Sequence, residues 1–360
     1  MADSPTGRYR DDLLIEHVAA AFGFDRLSEA LPGPAVYPPY LFVATGLFVE
    51  YGLFDLYNYF VTGKSSFVTQ PNSLAIPAMV VVGVVGLRYV HDTYADSVRD
   101  LGVEDDAVGI DADVRPDFEG LVSFRVRVGA YLAALAVYYA FVVFVLGVDS
   151  LVEISGVGLV LYAQLVSFPL IVVPVLVELA VSYVAVHALV PRRIARADLG
   201  LFFYDPRNLG GFEPVGRLLK RSYYIYTAIL LLWFVQTHAP VVLSTVISSP
   251  YPPPGPVIKA AISAAWLVGV ATIGYSMYRI HAIMKRKKSA RIRALEADLK
   301  DAVKDPYDAH RENIEDRERY DEVQENLAQV RGTKTYPTTF AMWSQIFVSV
   351  LLPQALNMVL

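Results

Sequence analysis

Seven long apolar blocks divide this sequence, and charged or turn-rich stretches separate them. The blocks cover residues 40–61, 74–90, 128–148, 154–190, 224–247, 257–284 and 340–360. A run of about 18 apolar residues is long enough for a helix to cross the hydrocarbon core of a bilayer. The pattern therefore predicts an all-α, polytopic membrane protein with seven transmembrane helices.

The fourth block is longer than one crossing requires. As a helix, residues 154–190 would extend about 55 Å, whereas the hydrocarbon core is about 30 Å thick. Two short spans are one interpretation, but no polar turn divides the block, and only Pro169 and Pro174 interrupt it. We expect a single kinked helix that projects beyond the bilayer. Before it, residues 149–153 are expected to form a short loop.

Basic residues near the span ends predict the orientation of the chain. Lys and Arg follow the fourth and sixth blocks and precede the third and fifth, with a dense run at 285–293. The opposite loops carry Lys64, an acidic pair and the proline-rich residues 251–256. Because loops rich in Lys and Arg stay in the cytoplasm, we expect a cytoplasmic N-terminus and an extracellular C-terminus.

This orientation divides the chain into four parts. Residues 1–37 are a cytoplasmic, amphipathic N-terminal segment, and residues 38–284 hold transmembrane helices one to six with an acidic cytoplasmic loop at 92–124. Residues 285–337 are a cytoplasmic insert of two charged helices broken near Asp305 and Pro306. Residues 338–360 form the seventh span.

The composition argues against several classes of function. The absence of Cys excludes a disulfide scaffold and a cysteine nucleophile, and six scattered His residues give no metal site, so no cofactor is predicted. No catalytic constellation is evident, and the one basic cluster is explained by topology, so we expect neither an enzyme nor a nucleic-acid partner. The net charge of −5 and the acidic loop favour a halophilic, archaeal source. An ordinary acidic loop is the alternative.

Two carboxylates lie in the first span. Glu50 and Asp55, with Tyr51 beside them, stand where a charge is costly unless it faces protein or water. They indicate a polar cavity or ligand pocket in the outer half of the bundle. The alternative is a buried carboxylate that accepts hydrogen bonds from a neighbouring helix. Glu178, in the fourth span, is expected to have a structural role.

The seventh span carries a narrow stripe that is polar towards the cytoplasm and aliphatic towards the outside. At about 100° per residue, its members are Thr338, Ala341, Gln345, Ser349, Leu352 and Leu356. A polar lumen that ends in a hydrophobic constriction is typical of a gate that closes by dewetting. Alternatively, Gln345 and Ser349 hydrogen-bond a neighbouring helix.

The arrangement of spans resembles the insect odorant and gustatory receptor channels, which belong to a wider superfamily of seven-transmembrane ion channels. That family's last span carries Thr-Tyr, five mostly apolar residues and then Gln-Phe. Here Thr338 and Gln345 keep the spacing, whereas Thr339 and Ile346 replace the aromatic residues. The N-terminal segment is similar to the family's re-entrant leading helix.

The resemblance implies a homotetramer whose four seventh helices line a central pore. Gln345 would line that pore, and Leu352 and Leu356 would form the gate. The cytoplasmic ends of spans four to seven would join the subunits. A ligand pocket would lie among the outer halves of spans two, three, four and six, which differs from the pocket expected around Glu50.

Three functions follow from these patterns. The first is a homotetrameric, cation-permeable channel of the cell membrane, with or without gating by a small-molecule ligand. The second is a secondary transporter that uses Glu50 and Asp55 as coupling carboxylates. The third is a non-conducting membrane sensor or scaffold. The expected partners are the lipid bilayer, further copies of the chain, permeant cations and an unidentified small-molecule ligand.

Overall fold

A computed structural model describes residues 9–64, 66–103, 113, 115–242, 254–305 and 314–337. These residues are mostly helical and contain no strand; one isolated bridge joins Val303 and Ile314. Five of the described helices are long and apolar enough to cross a membrane: Pro71–Asp100, Phe124–Leu146, Val157–Arg196, Glu213–Val241 and Pro256–Asp301. The chain is therefore an all-α, membrane-embedded protein.

The five helices coincide with predicted spans two to six. The first predicted span is also helical: α3 covers Pro38–Leu47, and π-helical turns follow at Phe48–Asp55 and Asn58–Thr62. It is not among the five because Glu50 and Asp55 lower its mean hydropathy. The seventh predicted span lies outside the described residues.

From Val157 onward the fourth block is one continuous helical stretch, as predicted, whereas residues 154 and 155 belong to the preceding helix and Gly156 separates the two. The continuous stretch begins with α7 at Val157–Tyr162, passes through a π-helix at Ala163–Val172 and ends with α8 at Val173–Arg196. Pro169 lies inside the π-helix and has no N–H to donate, so the regular hydrogen-bond ladder is interrupted there. The prediction of a loop at 149–153 was wrong, because this segment forms the short helix α6, Val148–Ser155.

Helix α10 extends well past the predicted membrane boundary. It runs from Pro256 to Asp301 without a break, because the basic residues that begin at 285 are good helix formers. Helix α11, Arg317–Gly332, folds back against it. Leu295, Val323, Leu327 and Val330 form a small core between the two helices. The two charged helices of the predicted insert are therefore present, but the first is a continuation of span six.

Two larger cores hold the membrane bundle together. Helix α4 (Ala75–Asp100) lies between α8 and α9 (Glu213–Val242) and contributes to both cores. Helix α5 (Phe124–Phe141) and its π-helical extension Val142–Leu146 lie at the periphery. The one fully buried residue of α5 is Arg127. Because a buried guanidinium is costly unless it is paired, Arg127 is expected to have charged or polar partners around it.

The N-terminal segment is folded onto the bundle. It forms α1 (Leu14–Ala21) and α2 (Phe24–Ala30), and Gly23 turns the chain between them with a φ of +78° that favours glycine. Leu13, Ile15 and Ala19 enter the same core as α3 and α4. The amphipathic pattern of this region is thus used for packing against other helices of the chain.

Candidate functional site

The most charged buried site of the described residues surrounds Arg127. Its side chain is 1% exposed. The guanidinium donates to Glu178 Oε1 at 3.3 Å, to the carbonyl of Asp12 at 3.2 Å and to the carboxylate of Asp11. Five N–H donors in a fixed fork allow one arginine to bind several oxygen acceptors at once. Arg127 thereby joins α5, α8 and the N-terminal segment.

Glu178 holds the first turn of α1. Its two carboxylate oxygens accept hydrogen bonds from the N–H groups of Leu14 and Ile15, at 2.6 and 3.3 Å. The first N–H groups of a helix have no partner within the helix, so a carboxylate placed there satisfies them and favours the positive end of the helix dipole. The structural role that the sequence suggests for Glu178 agrees with this geometry.

Asp11 links the same cluster to residues 115–123. Its Oδ2 accepts from the N–H groups of Leu121 and Val122 at 2.8 and 3.1 Å. Burial raises the pKa of Asp11, and Arg127 together with the two N–H donors offsets only part of that rise. His91 completes the cluster: its Nδ1 lies 3.5 Å from Asp11 Oδ2, and its Nε2 lies 3.0 Å from Ser182 Oγ.

We call this group the Arg127 cluster; its members are Arg127, Asp11, Glu178 and His91. It connects segments that are more than one hundred residues apart in the chain, and every carboxylate in it is bonded to a cation or to N–H donors. Sequence reasoning missed Asp11 and Arg127. Arg127 resembles an ordinary basic flank, and no local pattern pairs it with residue 11.

Glu50 and Asp55 are both buried, and each accepts hydrogen bonds from a different segment. Ser167, in the π-helix of the fourth block, donates to Glu50. Asp55 accepts from Ser66 Oγ at 2.6 Å and from the N–H of Phe67 at 3.0 Å. Tyr51 lies against Phe67, with 6.4 Å between ring centroids. This arrangement is the one expected of carboxylates that anchor neighbouring segments.

The chain between α11 and residue 338 is held against α10. The imidazole of His281 lies 3.0 Å from the carbonyl of Thr335 and stacks on Tyr336 with 4.0 Å between ring centroids. Lys288 donates to the carbonyls of Arg331 and Thr333 at 2.7 and 2.6 Å. The candidate pore residues Thr338, Ala341, Gln345, Ser349, Leu352 and Leu356 lie outside the described residues.

Metal ligands do not cluster in the part of the chain that the structure describes: no group of three or more His, Cys, Asp or Glu side chains there could hold an ion. No family model, no curated protein and no solved structure matches the chain.

Proposed function

We propose that the protein is a homotetrameric, cation-permeable ion channel of the cell membrane, whose central pore is lined by residues 338–360. In this proposal the chain crosses the membrane seven times, with its N-terminus in the cytoplasm and its C-terminus outside. The observation that carries the proposal is the position of Thr335 and Tyr336 against His281 of α10.

That position supports a seventh crossing beside α10. The chain runs along α10 from Pro256 to Asp301 and returns along α11, and the residues that follow α11 reach His281. From His281 back to Pro256 is roughly 38 Å of helix, and residues 338–360 would extend roughly 35 Å as a helix. A final helix that starts at residue 338 therefore has the length to run back along α10 to the opposite face.

In the proposed tetramer, the joined ends of the helices would provide a surface for contacts between subunits. The connector 197–212, α10 and α11 are tied together by the bonds from Gln329 to the carbonyl of Phe203 and from Lys334 N–H to the carbonyl of Asn208, both 2.8 Å. Lys287 and Asp198 form an ion pair at 2.7 Å. In the proposed topology this region lies at the cytoplasmic ends of spans four to six, where it would be available for subunit contacts outside the membrane.

Gate substitutions test the pore assignment. Leu352→Ser and Leu356→Ser should each raise the resting cation conductance of planar bilayers severalfold, because a hydroxyl in a narrow constriction lowers the cost of wetting it. Leu267→Ser is the matched control, since Leu267 is 66% exposed on α10. Currents that stay at the wild-type level in both gate variants would reject residues 338–360 as the pore lining.

The secondary transporter is the second candidate, and the geometry of its carboxylates favours it less. A coupling carboxylate must exchange its proton or cation with water, whereas Glu50 is bonded to Ser167 and Asp55 to Ser66 and Phe67. Coupled uptake into vesicles that Glu50→Gln abolishes would move the transporter ahead of the channel. Co-purification of a cytoplasmic partner without ion flux would instead favour the sensor or scaffold.

A further inference from the structure

A cavity of about 560 Å³ lies between the end of the first helical span and the start of the fourth. Leu53, Phe54 and Tyr57 form one wall, and Val157 and Leu159 form the other. Leu53, Tyr57 and Val157 are more than half exposed, so the cavity opens sideways on the outer surface of the bundle. It lies at the end of the bundle away from α11, and its volume is within the range of small-molecule sites.

Two glycines keep the cavity open. A Cβ atom at Gly158 would lie 3.4 Å from the ring of Phe54, in ordinary contact, so any longer side chain would extend into the space between the walls. Gly156 has a φ of +78°, in the left-handed region that other residues rarely adopt. The cavity is thus a consequence of small residues at the beginning of α7.

Lys64 places a positive charge at the edge of this cavity. Its ammonium donates to the carbonyls of Val152 and Glu153, at 3.0 and 2.6 Å. Both acceptors are neutral, and no carboxylate within the described ranges forms an ion pair with Lys64. An ammonium group has three protons, so among the described residues one donor and the charge of Lys64 are left without an acceptor.

We propose that this cavity binds one hydrocarbon chain of an anionic membrane lipid, whose phosphate is held by Lys64. The apolar walls are exposed at the side of the bundle, so in a membrane a lipid chain would enter without crossing water, and burial of that chain against Leu53, Phe54 and Val157 is favourable. The phosphate accepts a charge-assisted hydrogen bond from the ammonium. The proposal does not depend on whether the protein conducts ions.

Lipid retention by the purified full-length protein tests the headgroup contact. Native mass spectrometry would compare phosphatidylglycerol with phosphatidylcholine of the same acyl chains. We expect the wild type to retain phosphatidylglycerol about tenfold better, which corresponds to about 1.4 kcal/mol. Lys64→Gln should lose this preference and Lys64→Arg should keep it. Lys259→Gln, a lysine on α10 outside the cavity, is the matched control.

A second substitution tests the cavity itself. Gly158→Leu should fill the space beside Phe54 and reduce the retention of both lipids severalfold. Gly129→Leu is the control, since Gly129 is exposed on α5 with open space around it. Equal retention of the two lipids by the wild type, or unchanged retention in Gly158→Leu, would overturn the proposal.

Discussion

Arg127 shows how one buried residue can hold several distant segments. Its guanidinium bonds Asp11 from the N-terminal segment, Glu178 from α8 and the carbonyl of Asp12. The desolvation of three charged groups is costly, and these bonds offset it only while all partners are present. Loss of the arginine leaves buried Glu178 without a cation and Asp11 without the cation that it bonds, which costs more than removal of the whole cluster.

Replacement of Arg127 should therefore be among the most damaging single changes. Arg127→Met is expected to lower the free energy of unfolding by about 3–5 kcal/mol, the range found when one partner of a buried ion pair is removed. Thermal unfolding in detergent, followed by intrinsic fluorescence, would measure the fall in Tm. Arg125→Met, an exposed position in the same helical turn, should change Tm little. Equal effects of the two substitutions would contradict this account.

At the scale of single residues, the sequence predicted only some of the buried contacts that the structure contains. A structural role was expected for Glu178, and a buried carboxylate bonded to a neighbouring helix was one of two interpretations of Glu50, because a charge inside an apolar block must face protein or water. The bond between Arg127 and Asp11 was not expected, since the two residues are separated by more than one hundred positions. Such pairs depend on which helices come together, and single-sequence patterns describe each helix by itself.

At the scale of elements, the connector between α8 and α9 is a compact turn held by one carboxylate. Asp205 accepts hydrogen bonds from the N–H groups of Arg207, Leu209 and Gly211, at 2.9, 2.9 and 3.1 Å. Burial acts to raise the pKa of Asp205, but the three N–H donors outweigh it, so the pKa lies below its ordinary value. Ionised Asp205 therefore stabilises the connector.

The sign of this shift gives a pH dependence. Because the pKa is lower in the folded state, the stabilisation is present above the unfolded pKa of about 3.9 and is lost as pH falls through the folded pKa. Asp205→Asn should lower the free energy of unfolding by about 1–3 kcal/mol at pH 7. The gap in Tm between variant and wild type should shrink below about pH 4.

Parallel acid titrations of thermal stability in the wild type and Asp205→Asn would measure that gap. Asp301→Asn, at the exposed end of α10, provides the control for a general loss of negative charge. A gap that stays constant from pH 7 to pH 3 would show that ionisation of Asp205 does not stabilise the connector.

The length of the apolar blocks predicted which segments are helices better than it predicted where those helices begin and end. Each of spans two to six is a long helix, because a block of this length has no other way to satisfy its backbone in a bilayer. The ends were less predictable. Charged residues after Met284 continue α10 instead of ending it, and Gly147 and Gly156 bracket a helix where polar residues suggested a loop.

At the scale of the whole molecule, the proposed channel requires four copies of the chain. Particle averaging and native mass determination of the detergent-purified protein in high salt should give fourfold symmetry and about four times 39.8 kDa. The C-terminal helix is expected to lie innermost. A monomer or a two-fold dimer would remove the shared pore and reduce Gln345 to a packing residue.

Sequence patterns give the least information about how copies of the chain assemble. Positive charge near the span ends predicts an orientation, and a stripe on one helix predicts a lining, but neither specifies how copies of the chain meet. That information depends on surface shape, which arises only after the helices of one copy have packed. The proposed homotetramer therefore comes from the resemblance to odorant and gustatory receptor channels.

The unbroken length of α10 has a mechanical consequence. Beyond His281 about 20 residues of helix extend to Asp301, roughly 30 Å, and α11 stiffens this arm along its return. A tilt of about 5° would displace its tip by roughly 3 Å. The arm is thus a rigid extension of the helix that moves together with the connector 197–212, and its base lies beside Tyr336. In the proposed topology this tip lies in the cytoplasm, and a force applied to it would be transmitted to the base of the proposed pore.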